Sequence, residues 1–111
     1  MGSDLTADRQ VVRDLSGHVR VDIQLHGLVD LGTQPILELA LDDALAVRGV
    51  REIVVDLGGL TLLDSTGIAT LLHAYRRGAA GDVRLRAVGA DGMVLRVLDI
   101  TGVLKVLSGE D

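Results

Sequence analysis

The fold is decided by residues 53–78, which read IVVDLGGLTLLDSTGIATLLHAYRRG. The stretch opens with Ile-Val-Val at 53–55, a β-branched run that is typical of a strand buried on both faces. The glycine pair at 58–59 is predicted to break this strand, and a leucine-rich run then leads to Asp-Ser-Thr-Gly at 64–67. After these residues, apolar side chains recur at spacings of three and four, as they do along one face of a helix. We therefore expect a polar cluster at the point where a strand passes into a helix.

The polar cluster admits two interpretations from its residues alone. Asp64 and Ser65 are both good N-cap residues, which accept hydrogen bonds from the first backbone N–H groups of a helix. Capping is the commonest role of such residues, and on spacing alone it is the favoured interpretation. The same N–H groups and the helix dipole also attract a phosphate group, and three oxygen-bearing side chains are more than one cap requires. No neighbouring residue supplies a base, so the sequence does not indicate a serine nucleophile.

The composition indicates one folded domain and excludes several classes of partner. A chain of 111 residues, 48% hydrophobic and 24% charged, is long enough to bury a single core. The net charge of -5 argues against nucleic acid, because there is no excess of cations to neutralise phosphates. The single aromatic residue, Tyr75, provides no stacking surface for bases or flat cofactors. The absence of cysteine excludes disulfides and thiolate metal sites.

The N-terminal residues give an expectation about compartment and boundaries. They are polar and lack the apolar centre of a signal peptide. We expect a flexible N-terminal segment at 1–10, the folded domain at 11–108 and a polar tail at 109–111. No apolar run approaches the roughly 20 residues that span a bilayer. We therefore expect a cytoplasmic protein that does not insert into membranes.

The remaining patterns predict the element order β-β-α-β-α-β-α-β. Residues 19–26 alternate with period two and are predicted to pair with 11–15 as an antiparallel hairpin at the sheet edge. The last apolar run, 103–107, is predicted to be a strand. Three amphipathic helices are predicted, each with an apolar face that packs against the core. The first core-facing residues of these helices are expected to be Ile36, Ile68 and Met93. The sequence thus predicts a single α/β domain with a mixed, mostly parallel β-sheet, an antiparallel edge hairpin and about three to four covering helices.

The sequence offers no catalytic or metal site. His18, His26 and His73 lie on separate predicted elements, whereas a zinc site needs three or four converging groups. The glycines form no phosphate-binding fingerprint, and Ser65 lacks the flanking glycines of a nucleophile elbow. An acid–base pair of Asp30 with Asp64 would have no evident pocket or cofactor. We therefore predict that the protein is not an enzyme and binds neither metal nor cofactor.

The chain resembles the STAS domain family, and within that family it resembles the bacterial anti-sigma factor antagonists. The resemblance is carried by Ile-Val-Val-Asp-Leu at 53–57 and by Leu-Asp-Ser-Thr-Gly at 63–67. Leu71, Tyr75 and Arg76 continue it along the following helix. An Asp-Ser-Thr-Gly turn in this setting is fairly specific for the family and much less specific for any one member.

The resemblance covers nearly the whole chain from about Val11 onwards. It includes Gly-Leu-Val-Asp at 27–30 followed by Thr33, which is similar to the family's Gly-Glu-Leu-Asp loop. It also includes residues 98–104, which are similar to the family's C-terminal element. The sequence departs from the family pattern at Leu28, where many members have Glu.

The resemblance implies a switch controlled by phosphorylation. Members of this type bind an anti-sigma factor that is also a serine kinase, and so free the sigma factor. The kinase inactivates them by phosphorylating a serine at the organising turn, and a serine phosphatase restores them. Carried over to this chain, the phosphoacceptor is Ser65, with Thr66 as the neighbouring alternative. The implied partner-binding residues are Asp30, Thr33, Asp64, Ser65, Thr66, Gly67, Thr70 and His73.

The family leaves two other functions open. Some STAS domains are accessory subunits of ABC lipid transporters, and others are scaffold proteins that do not switch. Both kinds would use the same helix as a docking surface, whether or not the serine is phosphorylated. The neighbouring genes discriminate between these functions, because a small kinase gene favours the antagonist and permease and ATPase genes favour the transporter subunit.

Overall fold

A computed structural model describes residues 4–109, which form four β-strands and four α-helices. In chain order these are β1 (Leu5–Arg13), β2 (Val19–Val29), α1 (Gln34–Leu45), β3 (Val50–Leu63), α2 (Ser65–Ala80), β4 (Arg84–Val88), α3 (Gly92–Ile100) and α4 (Val103–Leu107). None of these helices is long and apolar enough to cross a membrane.

The four strands form one mixed sheet in the order β1-β2-β3-β4. β1 pairs with β2 in the antiparallel sense, with Val11 opposite Val21, and the β2–β3 and β3–β4 pairs are parallel. Parallel neighbours need a long crossover, which α1 provides between β2 and β3 and α2 provides between β3 and β4. The predicted α/β class with an antiparallel edge hairpin is confirmed. The parallel order also brings the carboxyl ends of β2, β3 and β4 to one edge of the sheet.

The helices cover one face of the sheet and leave the other face to solvent. In β2, Val21, Ile23 and Leu25 are buried, whereas the alternating Arg20 and Gln24 are exposed. The buried strand residues form one apolar cluster with residues of all four helices. Burial of this kind is the main stabilising contribution in a domain of this size.

The structure corrects both ends of the predicted order. The last apolar run forms helix α4 and not a strand: Val103 and Leu107 are buried while Lys105 between them is exposed, and a strand would place all three on one face. At the other end, β1 begins at Leu5, whose side chain is buried in the core. Residues 5–10 therefore lie in a strand and not in a flexible segment. The rest of that segment, 1–3, and the end of the expected tail, 110–111, lie outside the described residues.

The predicted break at the glycine pair is also wrong, because β3 continues through Gly58 and Gly59 to Leu63. The register between β2 and β3 shifts between Gln24 and His26, opposite these glycines. A Cβ on Gly59 would clash with the His26 ring and the backbone carbonyl before it. Glycines inside a strand often mark such a close approach. The pair marks an irregularity in the ladder and not the end of the strand.

Two residues that were expected to lead helix faces into the core are exposed. Ile36 is 37% exposed and Met93 is 63% exposed. In each case the next residue, Leu37 or Val94, is the one that is buried. The third expected leader, Ile68, is buried as predicted. The helical period predicts which face of a helix is apolar. It does not predict which of two adjacent apolar residues in the first turn points into the core.

Candidate functional site

Two of the acidic residues singled out from the sequence lie at the same edge of the sheet. Leu63 at the end of β3 is opposite Val29 at the end of β2. The Asp64 amide donates a hydrogen bond to the Val29 carbonyl, with an N···O distance of 3.1 Å. Asp30 and Asp64 therefore follow the carboxyl ends of two adjacent parallel strands. Binding sites of open α/β sheets are found at this edge.

Asp64 is the N-cap of α2. Its backbone is extended, and its Oδ1 accepts hydrogen bonds from the Thr66 amide at 3.0 Å and from the Gly67 amide at 3.1 Å. The same oxygen accepts a third hydrogen bond from the Thr66 hydroxyl at 2.5 Å. Two of the helix N–H groups that lack an intrahelical partner are thus satisfied by one carboxylate. The amides that could have received a phosphate are already occupied.

The same donors keep Asp64 ionised. The hydrogen bond from the Thr66 hydroxyl is the largest cause that lowers the pKa of Asp64, and the backbone amides of Gly67 and Thr66 lower it further, while desolvation opposes them. The shift follows from the rule that hydrogen bonds to a carboxylate favour its charged form. The turn therefore carries a fixed negative charge at neutral pH.

Ser65 is the first residue of α2, and its side chain is exposed. Within the described residues its hydroxyl makes no hydrogen bond, and the cap does not use it. Thr66 differs in both respects, because it is half-buried and its hydroxyl donates to Asp64. The structure therefore divides the cluster into a cap, formed by Asp64 and Thr66, and a free hydroxyl on Ser65. Capping does not account for the serine.

Gly67 is required where α2 begins, because the helix packs directly on the strand ends. A Cβ at this position would lie 2.5 Å from Leu63 Cδ1 and 2.6 Å from Val29 Cγ1. Gly67 itself is buried. It was predicted to be a partner-binding residue, and its place in the structure is internal, where it lets the serine-bearing turn sit close to the sheet.

Asp30 and Thr33 form a closed loop between β2 and α1. The Asp30 amide donates to Thr33 Oγ1, and the Thr33 amide donates to Asp30 Oδ1, both at 3.0 Å. The Thr33 hydroxyl donates in turn to the Leu28 carbonyl at 3.0 Å. Thr33 is only 7% exposed, so it holds the loop and is not itself accessible to a partner. Thr33 immediately precedes α1, but its side chain bonds back to β2 and does not cap the helix.

Thr70 connects the turn to the neighbouring helix. Its hydroxyl donates to the Thr66 carbonyl at 2.8 Å and accepts from Gln34 Nε2 of α1 at 2.9 Å. His73 lies one turn further along α2 and is exposed. The predicted partner-binding residues that are not buried lie at the ends of β2 and β3 and along α2.

The sequence analysis missed the contribution of α1 to this surface. A groove runs between α1 and α2. It is lined by Gln34, Glu38 and Asp42 of α1 and by Thr70, His73 and Arg77 of α2. A signal for them exists in the sequence: the three residues from α1 are spaced by four, and such residues share one helix face. That face could not be matched to α2 before the packing of the two helices was known.

Among residues 4–109, no group of three or more His, Asp or Glu side chains is arranged to hold a metal ion. The turn instead presents an exposed hydroxyl beside an ionised carboxylate on a rigid strand–helix junction. An exposed hydroxyl of this kind is accessible to chemical modification.

Known proteins are similar to this chain over most of its length. The family model of the STAS domain matches residues 10–110. An anti-sigma F factor antagonist from Paenibacillus polymyxa is 26% identical over 85 residues, which are 77% of this chain and 73% of that protein. Among solved structures, an anti-sigma factor antagonist from Mycobacterium paratuberculosis has a TM-score of 0.73 at 22% identity, over 92% of this chain and 83% of that chain.

A further similar structure has been solved in two forms. The anti-sigma factor antagonist SpoIIAA in its unphosphorylated form has a TM-score of 0.71 at 21% identity, over 91% of this chain and 85% of that chain. The phosphorylated form of SpoIIAA, from Bacillus, has a TM-score of 0.64 at 20% identity, over 91% of this chain and 88% of that chain. At these identities the solved structures establish a shared fold.

Proposed function

Because the chain belongs to the STAS domain family, we propose that it is an anti-sigma factor antagonist. It binds an anti-sigma factor that is also a serine kinase, and this binding releases the sigma factor. Phosphorylation of Ser65 ends the interaction, and a serine phosphatase restores it. The protein acts in the cytoplasm without catalytic activity of its own.

The observation that carries this proposal is the free hydroxyl of Ser65. The hydroxyl is exposed at the start of α2, whereas the hydroxyl of Thr66 is engaged by Asp64. A kinase can therefore reach Ser65 without breaking any hydrogen bond that holds the turn. A serine kept at this exposed position beside a complete cap is what a modification site needs, and a purely structural role does not explain it.

The electrostatics of the turn explain how the modification would act. A phosphate adds roughly -1.5 to -2 charges. On Ser65 it would stand beside the ionised Asp64 and near Asp30, so that the binding edge becomes strongly negative. An acidic side chain of the partner that lies ~4 Å from the phosphate in the complex would be repelled by about 4 kcal/mol per unit charge at an effective dielectric constant near 20. A hundredfold loss of affinity needs only about 2.7 kcal/mol, so charge is sufficient without a change of fold.

The proposal is tested with the anti-sigma factors encoded by the source genome, each purified and assayed for binding. Ser65→Ala should keep the affinity of the unmodified protein and resist phosphorylation by the factor that binds. Ser65→Asp should bind at least tenfold more weakly, about 1.4 kcal/mol, while its circular dichroism and melting stay unchanged. Gln10→Glu, which adds one charge on exposed β1, is the matched control and should bind normally.

Three results would contradict the proposal. The first is that no anti-sigma factor binds the unmodified protein. The second is that mass spectrometry places the phosphate on Thr66 or elsewhere. The third is that Ser65→Asp binds as tightly as the unmodified protein. Raised salt should recover part of the loss in Ser65→Asp, because repulsion between exposed charges is screened.

A further inference from the structure

The groove between α1 and α2 contains a gap half-way along its length. The groove has a volume of about 320 Å³, and its two walls face each other at three levels about one helical turn apart. From the Ser65 end, Gln34 and Thr70 lie at the first level and Asp42 and Arg77 at the last. The spacing along each helix places Glu38 and His73 between them.

The first and last levels are closed by direct contacts, and the middle level is open. Gln34 Nε2 donates to Thr70 Oγ1 at 2.9 Å, and Arg77 Nη1 donates to Asp42 Oδ1 at 2.6 Å. Glu38 accepts only from Gln34 Nε2, at 2.6 Å, on its own helix. Within residues 4–109 no hydrogen bond or ion pair joins the Glu38 carboxylate to α2.

The middle level combines space between the two helices with a charged side chain. The lining of the groove also includes Ala69 and Ala74, which have small side chains, and the buried Leu41. The gap also continues the surface around Ser65, because Ser65, Ala69 and His73 are spaced by four along α2 and share one face. A partner that covers Ser65 therefore reaches the gap along the same helix face.

We infer that the gap receives a guanidinium or ammonium side chain of the anti-sigma factor, with the Glu38 carboxylate as its counter-charge. This inference rests on the proposed function and adds the chemistry of the contact. The Glu38 carboxylate has no cationic partner among the described residues, and it can therefore form a charge-assisted hydrogen bond with a cationic side chain of the partner.

The test measures binding of the anti-sigma factor that binds the unmodified protein. Glu38→Gln keeps an acceptor for Gln34 and removes only the charge, and it should weaken binding at least tenfold. Glu38→Arg places a cation in the gap and should weaken binding further, by at least a hundredfold. Asp43→Asn is the matched control, because Asp43 is an exposed acid on α1 outside the groove, and it should bind within twofold of the unmodified protein. Equal melting temperatures establish that all variants are folded.

The outcomes separate this inference from the proposed function. If Glu38→Gln binds within twofold of the unmodified protein while Ser65→Asp does not bind, the cation site is wrong and the antagonist function stands. If Asp43→Asn loses as much as Glu38→Gln, the effect is one of general charge and the gap has no special role. If no anti-sigma factor binds at all, the inference falls together with the proposed function. Recovery of binding to Glu38→Arg by an acidic replacement of one basic residue in the partner identifies the cation.

Discussion

The division of the turn into a cap and a free hydroxyl predicts that two neighbouring residues differ sharply in their effect on stability. Asp64→Ala removes the acceptor of the Thr66 and Gly67 amides. Ser65→Ala removes a hydroxyl with no hydrogen bond among the described residues. Both changes introduce the same residue at adjacent positions of one helix terminus, so the difference between them isolates the cap.

The magnitudes follow from the contacts. Loss of an N-cap side chain costs about 0.5–2 kcal/mol, and Asp64→Ala should fall in the upper half of that range because the Thr66 hydroxyl also loses its acceptor. Ser65→Ala should stay within about 0.5 kcal/mol of the unmodified protein, as exposed substitutions usually do. For a domain of this size, 1 kcal/mol corresponds to a shift in Tm of about 4 °C.

The assay is urea unfolding followed by far-ultraviolet circular dichroism, with thermal melting as a second measurement. Asp64→Asn is the matched control, because asparagine caps as well as aspartate and should recover most of the loss. Equal m-values show that only the free energy of unfolding has changed. The division of roles is refuted if Ser65→Ala destabilises as much as Asp64→Ala, because Ser65 would then belong to the cap and would not be available for modification.

Three further predictions concern the supports of the turn. Gly67→Ala should destabilise by about 1–3 kcal/mol through overpacking against the strand ends, whereas Gly81→Ala at the other end of α2, where a Cβ meets nothing closer than 3.8 Å, should be nearly neutral in urea unfolding. Thr33→Val should cost about 1–3 kcal/mol because it leaves buried backbone groups unsatisfied, and equal stability of Thr33→Val and Thr33→Ser would contradict this. The lowered pKa of Asp64 means that its ionised form stabilises the folded state. This stabilisation is fully present above pH 3.8, the ordinary pKa, and is lost as the pH falls through the lower pKa of the folded state. In acid titration, the difference in stability between the unmodified protein and Asp64→Ala should therefore shrink below pH 3.8.

The sequence predicted those parts of the fold that depend on local periodicity. The alternation along β2 and the helical spacing after Ser65 fixed the α/β class and the parallel sheet, since each pattern reports which side chains face the core. The final helix α4 was missed because five apolar residues are too few to distinguish a strand from a helix without their packing partners. The glycine pair in β3 was misinterpreted for a similar reason, because a glycine can end a strand or admit a close neighbour such as His26, and only the register decides.

The site was predicted in part for the same physical reason. The three oxygen-bearing side chains of the turn could be found from the sequence, but their division of labour could not, because it depends on which oxygen reaches the helix amides. Thr33 and Gly67 are buried, which the sequence did not indicate, and their part in partner binding stays a prediction. The place of Glu38 in a groove was missed, because the helix face that it shares with Gln34 and Asp42 could not be matched to α2 before the packing of the two helices was known.

The backbone amides at the start of α2 already have hydrogen-bond acceptors, and this determines whether a phosphate on Ser65 would change the fold or only the binding surface. The Thr66 and Gly67 amides donate to the Asp64 side chain, and the Ile68 amide donates to the Asp64 carbonyl at 3.0 Å. A phosphate could displace the Asp64 side chain from its two amides, which would exchange one anionic acceptor for another and leave an ionised carboxylate beside the new group. It could instead remain in solvent, which leaves the cap intact and avoids the closest repulsion. The second arrangement retains every hydrogen bond of the turn and presents the added charge outward, so we expect phosphorylation to change the binding surface and not the fold.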